Sequence, residues 1–425
     1  MKVFKFGGAS VKDAAGVRNM AKVLSRFPDD DLLIVVSAMG KTTNALEEVV
    51  WAYAAGRDTS GMVLRLEEAH AAVAAEVAPE SNWLHRDLAM SFNELRALLL
   101  ESPSGDIDRD YDAIVSFGEI WSSMITAAHV AMTNGCCSWF DARDVIRTDA
   151  LHRAARVDWE ESQRLCDHEV NMEKAPDKFQ YPIVTQGFIG ATGDGRPTTL
   201  GREGSDFSAA IFAYLLDAES VTIWKDVPGM FNADPKRFPD TKLLSHISYR
   251  EAIELSYFGA SVIHPRTLQP LQKKGIPLYV RSFIDLDAPG STIDDRSEND
   301  SLIPSFIVKP RQLLISITPR DLSFVVEENL SGIFSLFAAR SVRIDLMQNS
   351  AVAFSVVVDD TPRSRQLIEE LSAAYEVRYN DGCELVTVRH YDEPTLAKLT
   401  AGKEVMLEQR SRITARFVLK ATTEG

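Results

Sequence analysis

The sequence predicts an α/β protein, with a mostly parallel β-sheet flanked by helices and a smaller C-terminal region. Three observations support this prediction. Short apolar runs alternate with amphipathic stretches over residues 1–290. Several of these runs end in Gly or Ser just before a helix, as strands of a parallel sheet do. A polar, turn-rich stretch from Asp285 to Pro304 then has the composition of a linker, and the order of elements changes beyond it.

The first region, residues 1–290, supplies the strands and helices of the main sheet. We predict strands at Lys2–Phe6, Leu32–Ser37, Ala113–Phe117, Ile183–Ile189, Val221–Trp224 and Pro277–Arg281. We predict helices at Leu84–Leu100, Ile120–Thr133, Phe207–Leu216 and Tyr249–Tyr257. Because the carboxyl ends of parallel strands meet at one edge of a sheet, ligand-binding loops are expected there.

The C-terminal region is predicted to hold one complete module and part of a second. After a linker and entry strand at 291–311, residues 312–382 follow the order β-α-β-β-α-β, the ferredoxin-like order of many small ligand-sensing modules. Its elements are Leu313–Thr318, Asn329–Ala339, Arg343–Gln348, Ala353–Val358, Arg363–Ala373 and Tyr375–Tyr379. Residues 383–425 hold only a strand, a helix and a strand. They are too few to bury a core alone, so we expect them to pack on their neighbour or borrow strands.

The composition excludes several classes of protein. There are 46 Lys and Arg against 61 Asp and Glu, a net charge of −15, and no long basic run, so nucleic acid is not an expected partner. No apolar stretch is long enough for a membrane span, and the N-terminus does not have the pattern of a signal peptide. The four cysteines have no metal-ligand spacing, so no protein-bound metal site is predicted. We expect a reduced, cytoplasmic protein.

The first candidate site follows the first strand. Lys5 ends that strand, and Gly7, Gly8 and Ser10 follow it. Amides left accessible by glycine, with a helix start behind them and a lysine beside them, are typical of a phosphate cradle. The spacing matches neither GxGxxG nor the P-loop, so an ordinary glycine turn with a solvated Lys5 is an equally good interpretation.

Two more loops carry chemistry at strand ends. Ser37 and Thr43 flank a glycine after the second strand, and Glu119 follows Gly118 at a predicted strand-to-helix junction. Such a glutamate suits either an ammonium ligand or the helix dipole, and the dipole is the better reading of Glu119 alone.

The densest motif is the stretch Thr198–Asp206, before the predicted helix at 207–216. Arg202 suits a carboxylate or phosphate, while Ser205 and Asp206 offer a hydroxyl and an acid at the helix start. The simple alternative is that Asp206 is the N-cap. Beyond it, Lys225 and Asp226 lie beside aromatic residues that suit a purine and its phosphates.

Taken in order, these motifs closely resemble those of the aspartate kinases. The motifs are KFGGAS, SAMGKTTN, SFGE, TTLGREGSD, WKDVPGMFNADP and FGASVIHP, followed by the β-α-β-β-α-β module. This family belongs to the amino acid kinase superfamily and carries C-terminal ACT regulatory domains. The resemblance implies transfer of the ATP γ-phosphate to the β-carboxylate of L-aspartate, the first step toward lysine, threonine, methionine and isoleucine. We expect a monofunctional enzyme, since no homoserine dehydrogenase region follows.

The resemblance also implies roles for single residues. Lys5 would contact the transferring phosphoryl group, Asp206 would orient Lys5 or the water shell of Mg²⁺, and the metal would be held mainly by the nucleotide phosphates. Substrate binding would fall to Ser37, Thr43, Glu119, Arg202 and Ser205, with Glu119 on the ammonium group and Arg202 on the α-carboxylate. ATP binding would fall to Lys5, Gly7, Gly8, Ser10, Lys225, Asp226, Phe231, Lys236, Ser261 and Val262.

Four positions depart from the common family pattern. Many members have Lys at Ser261, Thr at Lys225, Tyr at Phe231 and Gly at Glu203. Our hypothesis is that Lys225 supplies the phosphate-directed charge that Ser261 lacks.

In the C-terminal region, the resemblance implies an amino-acid effector site and a homodimer that forms through the ACT domains. The effector residues would be Asn329, Leu330, Asp345, Asn349 and Ser350. Lysine is the first choice of effector and threonine the second. From the residues alone, a solvated acid and a turn are the better explanation of this segment. Two other functions stay open: a kinase for glutamate or acetylglutamate, and a catalytically silent amino-acid sensor.

Overall fold

The computed structural model describes residues 1–170, 180–260, 263–321 and 323–421. The chain forms two compact units, and each unit is made of three separate segments of the sequence. The first unit comprises Met1–Met230, Leu243–Ile253 and Ser261–Ser297, and the second comprises Phe231–Lys242, Glu254–Ala260 and Glu298–Gly425. Within the described ranges, no helix is both long enough and apolar enough to cross a membrane.

The first unit is built on an eight-stranded sheet in the order β3-β5-β2-β1-β8-β10-β11-β9. Its strands are β1 (Lys2–Phe6), β2 (Leu32–Val36), β3 (Ser138–Trp139), β5 (Ile183–Gln186), β8 (Ser220–Lys225), β9 (His246–Ser248), β10 (Leu278–Ser282) and β11 (Ser291–Asp294). All neighbours pair in parallel except β10 and β11. Strand β2 is buried along its whole length, which explains why it is a continuous apolar run in the sequence.

A smaller three-stranded sheet and a set of helices complete the first unit. The small sheet contains β4 (Arg147–Thr148), β6 (Ile189–Thr192) and β7 (Pro197–Thr199). The helices are α1 (Ala14–Leu24), α2 (Thr42–Ala54), α3 (Ser60–Val77), α4 (Asn82–Leu100), α5 (Ile107–Val115), α6 (Phe117–Asn134), α7 (Trp159–Glu169), α8 (Gly204–Leu215), α9 (Tyr249–Phe258) and α10 (Pro265–Lys274). All four predicted helices are present, with ends that differ by at most three residues. The α/β prediction is confirmed.

One predicted strand was wrong. Residues 113–117 were predicted as a strand, but 113–115 close helix α5 and Phe117 opens α6. The Asp106 side chain caps α5 by accepting from the amides of Asp108 and Arg109. A short segment of four apolar residues and one serine is compatible with a buried helix end as well as a strand, and here the cap decides. Gly118 and Glu119 therefore lie inside the first turn of a helix, with a second helix before them.

The second unit is an antiparallel sheet with helices, in the strand order β13-β14-β12-β15-β17-β16. The strands are β12 (Ser305–Pro319), β13 (Leu346–Asn349), β14 (Phe354–Asp359), β15 (Tyr375–Arg389), β16 (Lys403–Arg410) and β17 (Thr414–Ala421). The helices are α11 (Glu327–Ala339), α12 (Pro362–Ala374) and α13 (Glu393–Thr400). From β12 to β15 the order is β-α-β-β-α-β, as predicted.

The last segment is completed by part of a strand from the first module. Ser305–Lys309, the start of β12, pairs with Leu385–Arg389 at the end of β15, and a register shift after Lys309 separates this half from the rest of β12. Val386, Val388, Leu396 and Phe417 form a separate small core with Phe306 packed against it. Two strands follow α13 where one was predicted, because the turn at 411–413 contains no Gly, Pro, Asn or Asp and Ser411 alone is a weak turn signal.

Candidate active site

An open cleft of about 380 Å³ lies at the carboxyl ends of β1, β2 and β8 in the first unit. This is the sheet edge at which the sequence predicts ligand binding. The cleft is lined by Lys5, Gly8, Ser37, Ala38, Gly40, Thr43, Glu119, Phe188, Gly201, Glu203, Gly204, Ser205, Asp206 and Lys225.

The two glycine loops after β1 and β2 pack directly against each other. A Cβ on Gly8 would lie 2.6 Å from the carbonyl oxygen of Ala38, closer than any side chain tolerates. The amide of Gly40 donates a hydrogen bond of 3.0 Å to the carbonyl oxygen of Gly8. Gly8 is therefore required for the close approach that brings both loops to one wall of the cleft.

The charged centre of the cleft is one carboxylate shared by two lysines. The Nζ atom of Lys5 lies 2.6 Å from Asp206 Oδ1, and that of Lys225 lies 3.4 Å from Asp206 Oδ2. Burial alone would raise the pKa of Asp206, but the charges of Lys5 and Lys225 outweigh it and hold the pKa below its usual range. Two ammonium groups thus face one carboxylate, and the surplus positive charge suits an anionic ligand.

Glu119 is the opposite pole of the same cleft. It lies in the first turn of α6, is buried, and its Oε1 accepts a hydrogen bond of 3.3 Å from the amide of Ala38. Its other oxygen, Oε2, is buried and has no hydrogen-bond partner. Burial raises the pKa of Glu119 to about 8, although the Ala38 amide and the charge of Lys5 act in the opposite direction. An unpartnered carboxylate oxygen in a cleft is suited to a cationic group such as an ammonium.

The third wall of the cleft is the start of α8. Two glycines allow it to pack closely against residues 187–188. A Cβ on Gly187 would lie 2.5 Å from Ser205 Cβ, and one on Gly204 would lie 2.6 Å from the Phe188 ring. Helix α8 begins at Gly204, and its N-cap residue is Glu203. The alternative that Asp206 is the N-cap was therefore wrong, because Asp206 lies within the first turn and pairs with Lys5.

Glu203 occupies a backbone conformation that favours glycine. Its φ is 53°, in the left-handed region, and its Oε2 is buried without a hydrogen-bond partner. This conformation gives a physical reason for the glycine that many family members have at this position.

The loop that carries Glu203 is held by residues outside the cleft. Asp112 accepts a hydrogen bond of 2.5 Å from the Thr199 hydroxyl, and Arg266 donates one of 2.9 Å to the carbonyl oxygen of Leu200. The hydroxyl of Ser208 accepts from the Phe188 amide at 2.8 Å. These bonds fix the start of the loop and the helix that follows it.

The structure brings eight of the sixteen predicted catalytic, substrate-binding and ATP-binding residues together in the cleft. Those that line the cleft are Lys5, Gly8, Ser37, Thr43, Glu119, Ser205, Asp206 and Lys225. Those close in sequence that are not part of its lining are Gly7, Ser10, Arg202 and Asp226, of which Arg202 and Asp226 are exposed. Phe231 and Lys236 belong to the second unit, and Ser261 and Val262 lie outside the described residues.

Sequence reasoning missed Phe188 as a lining residue. It was placed inside a continuous strand from 183 to 189, but the strand stops at Gln186, and Phe188 has a φ of 69° before β6 begins. The available signal was Gly187, since a glycine within an apparent strand often marks a close approach of another segment.

The predicted effector residues are all in the second unit. Asp345 is buried, its Oδ1 lies 2.7 Å from Lys309 Nζ, and its Oδ2 has no hydrogen-bond partner. The Asn329 side chain accepts from the amide of Val326 at 3.4 Å. The Ser350 hydroxyl accepts from and donates to Ala353. The two remaining residues are the partly buried Leu330 and the exposed Asn349.

Comparison with known proteins identifies the family. The pattern of the amino acid kinase family matches residues 1–282. Lysine-sensitive aspartokinase 3 of Escherichia coli is 30% identical over 416 residues, which are 95% of this chain and 89% of that protein. The chloroplastic bifunctional aspartokinase/homoserine dehydrogenase 2 of Arabidopsis thaliana is 36% identical over 307 residues, 70% of this chain. The chain spans about a third of the length of the bifunctional relatives it matches.

Comparison with solved structures supports the same family. The crystal structure of E. coli aspartokinase III in complex with lysine and aspartate matches with a TM-score of 0.80 and 26% identity, covering 99% of this chain and 96% of that one. The aspartokinase of Clostridium acetobutylicum shares the fold at the same TM-score. The chain therefore belongs to the amino acid kinase family and, within it, to the aspartokinases.

Proposed function

We propose that the protein is an ATP-dependent aspartate kinase that phosphorylates the β-carboxylate of L-aspartate to give 4-phospho-L-aspartate. The observation that carries this proposal is the pairing of opposite charges in one cleft. Lys5 and Lys225 form an anion-binding pole, and the unpartnered oxygen of Glu119 forms a cation-binding pole. A zwitterionic amino acid beside a phosphate chain needs both. Aspartokinase III of E. coli, crystallised with aspartate and ADP, matches this chain with a TM-score of 0.80 and 26% identity.

The chemistry requires positioning and charge stabilisation more than proton transfer. The nucleophile is a carboxylate that is already ionised at neutral pH, so no general base is needed. As the phosphoryl group transfers, negative charge spreads over its oxygens, and Lys5 is placed to stabilise it. Asp206 holds the Lys5 ammonium at 2.6 Å, which fixes a long flexible side chain before the reaction begins. Asp206 is thus a positioning residue for Lys5.

Substrate recognition is proposed to start at Glu119, which binds the α-ammonium group. Ser37, Thr43 and Ser205 line the same cleft and offer hydroxyl groups to the substrate. Arg202 is exposed between two lining residues, and we propose that it turns inward to bind the α-carboxylate.

Nucleotide binding is proposed to use the glycine loop after β1 together with Lys225. Within the described parts of the chain, no three His, Cys, Asp or Glu side chains cluster as a metal site would. Mg²⁺ is therefore proposed to be held mainly through the phosphates, with Asp206 beside its water shell, and it supplies neutralising charge there. The other proposed nucleotide contacts are Gly7, Gly8, Ser10, Asp226, Phe231, Lys236, Ser261 and Val262.

Regulation is proposed to act through the second unit. The buried Oδ2 of Asp345 has no hydrogen-bond partner and suits the ammonium group of an amino-acid effector. Lysine is the first choice, supported by the lysine-sensitive relative, and threonine the second. We further propose a homodimer that forms through the ACT modules, and a cytoplasmic location, which fits the four free cysteine thiols.

A coupled ADP-release assay tests the function. We expect turnover with aspartate and little with glutamate or acetylglutamate, and we expect lysine to inhibit more strongly than threonine. Preference for glutamate or acetylglutamate would identify a different amino acid kinase. Binding of lysine without turnover of any substrate would indicate a silent sensor.

A further inference from the structure

A second cavity of about 320 Å³ lies in the first unit, apart from the catalytic cleft, with which it shares no lining residue. Its walls come from the segment before α7 and from helices α7, α8 and α10. We name it the aromatic pocket and define it by Arg156, Trp159, Phe207, Tyr214, Arg266 and Lys273.

Three aromatic rings form the apolar walls of the aromatic pocket. The ring of Trp159 meets that of Tyr214 edge-on, with centroids 4.9 Å apart and planes inclined by 67°. It also meets Phe207 at 6.4 Å and 73°. Inclined rings of this kind offer flat faces on more than one side, and a planar ligand can stack on such a face.

The charges around these rings all have the same sign. Three cations, Arg156, Arg266 and Lys273, line the aromatic pocket and no acidic residue does, although the chain as a whole carries a net charge of −15. Local positive charge in an acidic protein concentrates anions at that place.

Arg266 is the innermost of the three cations. Its guanidinium lies 4.8 Å from the Phe207 ring centroid and donates to the carbonyl oxygens of Leu200 and Ala155. Burial lowers the pKa of Arg266, and no carboxylate among the described residues offsets this effect. A half-buried charge that is bound only to neutral carbonyl groups gains strongly from a counter-ion.

We propose that the aromatic pocket is a second ligand site, which binds a planar aromatic or heteroaromatic anion. The ring stacks against Trp159 and Tyr214, and the carboxylate or phosphate group contacts Arg156, Arg266 and Lys273. A nucleoside monophosphate and an aromatic carboxylate share this chemistry.

The aromatic pocket also has a direct structural route to catalysis, an extension that rests on the proposed function. Phe207 immediately follows Asp206 in α8, and Arg266 holds the carbonyl oxygen of Leu200, next to the cleft residue Gly201. A ligand that contacts Arg266 or Phe207 can therefore shift the loop that contains the proposed substrate-binding residues.

The test measures binding to the full chain, without turnover, so its outcome is independent of the kinase assay. Four probes are compared by calorimetry with ADP and aspartate present in excess to fill the catalytic cleft. They are adenosine monophosphate, indole-3-carboxylate, uncharged adenosine and inorganic phosphate. We expect one of the two aromatic anions to bind about tenfold or more tightly than adenosine or phosphate. The one that binds shows whether the ligand is a nucleoside monophosphate or an aromatic carboxylate.

Two double variants locate the bound anion. Arg156→Glu with Lys273→Glu should weaken its binding about tenfold or more. Arg57→Glu with Arg65→Glu makes the same change of net charge at exposed residues elsewhere and should leave binding unchanged. As a second measurement, quenching of tryptophan fluorescence should be smaller in Trp159→Phe. The proposal is overturned if neither aromatic anion binds with the cleft filled, or if both double variants weaken binding equally.

Discussion

Each unit of the molecule contains a buried aspartate paired with a lysine, and the two pairs are almost identical in geometry. Lys5 lies 2.6 Å from Asp206 in the first unit, and Lys309 lies 2.7 Å from Asp345 in the second. Their surroundings differ. Asp206 lines the cleft, and its second cation, Lys225, lines the same cleft. The ion-pair distance alone therefore does not distinguish the proposed catalytic pair from the pair at the proposed effector site.

The second pair contacts other segments of its own unit and does not line the cleft. A Cβ on Gly259 would lie 3.0 Å from Lys309 Cε, and the carbonyl oxygen of Asp345 accepts from Arg416 at 2.7 Å. Lys309 thus joins the sheet of the second unit to the segment that ends at Ala260, just before the proposed nucleotide residues Ser261 and Val262. We therefore expect access to the cleft, more than the ion pair itself, to mark the reactive site.

Replacement of each lysine in turn, Lys5 and Lys309, is the most direct test of this difference between the two pairs. Lys5→Met should lower kcat about 1,000-fold, because the charge that stabilises the transferring phosphoryl group is lost. The matched variant Lys309→Met should keep kcat within about threefold and alter inhibition by lysine, since Asp345 is the proposed effector residue. Steady-state kinetics with and without effector measure both, and equal losses of kcat would contradict the distinction.

Glu119 is expected to give the next largest effect, on aspartate binding. Glu119→Gln removes the charge that meets the ammonium group and should raise the aspartate KM about 30-fold, with a smaller change in kcat. Thermal unfolding of the variant checks that the fold is intact. A KM unchanged from that of the parent protein would argue that the ammonium group binds elsewhere.

The same residue predicts a pH dependence. Because its pKa is raised to about 8, Glu119 is mostly protonated at pH 7 in the free protein, and aspartate binding must displace that proton. Aspartate affinity should therefore rise about tenfold from pH 7 to pH 9. Calorimetry in buffers of different ionisation enthalpy should detect proton release near pH 7 in the parent protein and none in Glu119→Gln.

A smaller effect is expected from Lys225. Lys225→Thr restores the residue common in the family and should raise the ATP KM about tenfold, because a charge directed at the phosphates is lost. The exposed residue Lys236 offers a control within the proposed nucleotide set, and Lys236→Thr should have a weaker effect. Unchanged ATP kinetics in Lys225→Thr would remove the hypothesis that Lys225 compensates for Ser261.

The smallest change concerns stability. Glu203→Gly should stabilise the protein by about 1 kcal/mol, since glycine adopts a φ of 53° without strain and the substitution removes a buried, unpartnered oxygen. Glu203→Ala serves as the control, because alanine removes the carboxylate but keeps the strain. Equal denaturant midpoints for the two variants would show that the backbone conformation contributes little.

The sequence alone predicted the α/β class and the position of the cleft, because buried parallel strands are continuous apolar runs and glycine loops mark their ends. It did not predict that residues 113–117 form the junction of two helices, since a segment with four apolar residues fits either period. It also missed Phe188, whose position depends on the approach of α8, a contact between distant parts of the chain. Local sequence patterns predict local structure. They do not predict cleft walls that form through contacts between distant parts of the chain.

The interleaving of the two units along the sequence has a consequence for truncation of the protein. Phe231–Lys242 and Glu254–Ala260 precede the linker in sequence but fold with the second unit, where Asn232 exchanges hydrogen bonds with Pro304 and Phe306. Cutting the chain at the linker would strip these segments of their packing partners. The two units are thus interleaved along the chain, and a truncation meant to relieve the proposed inhibition should also damage the proposed nucleotide residues Phe231 and Lys236.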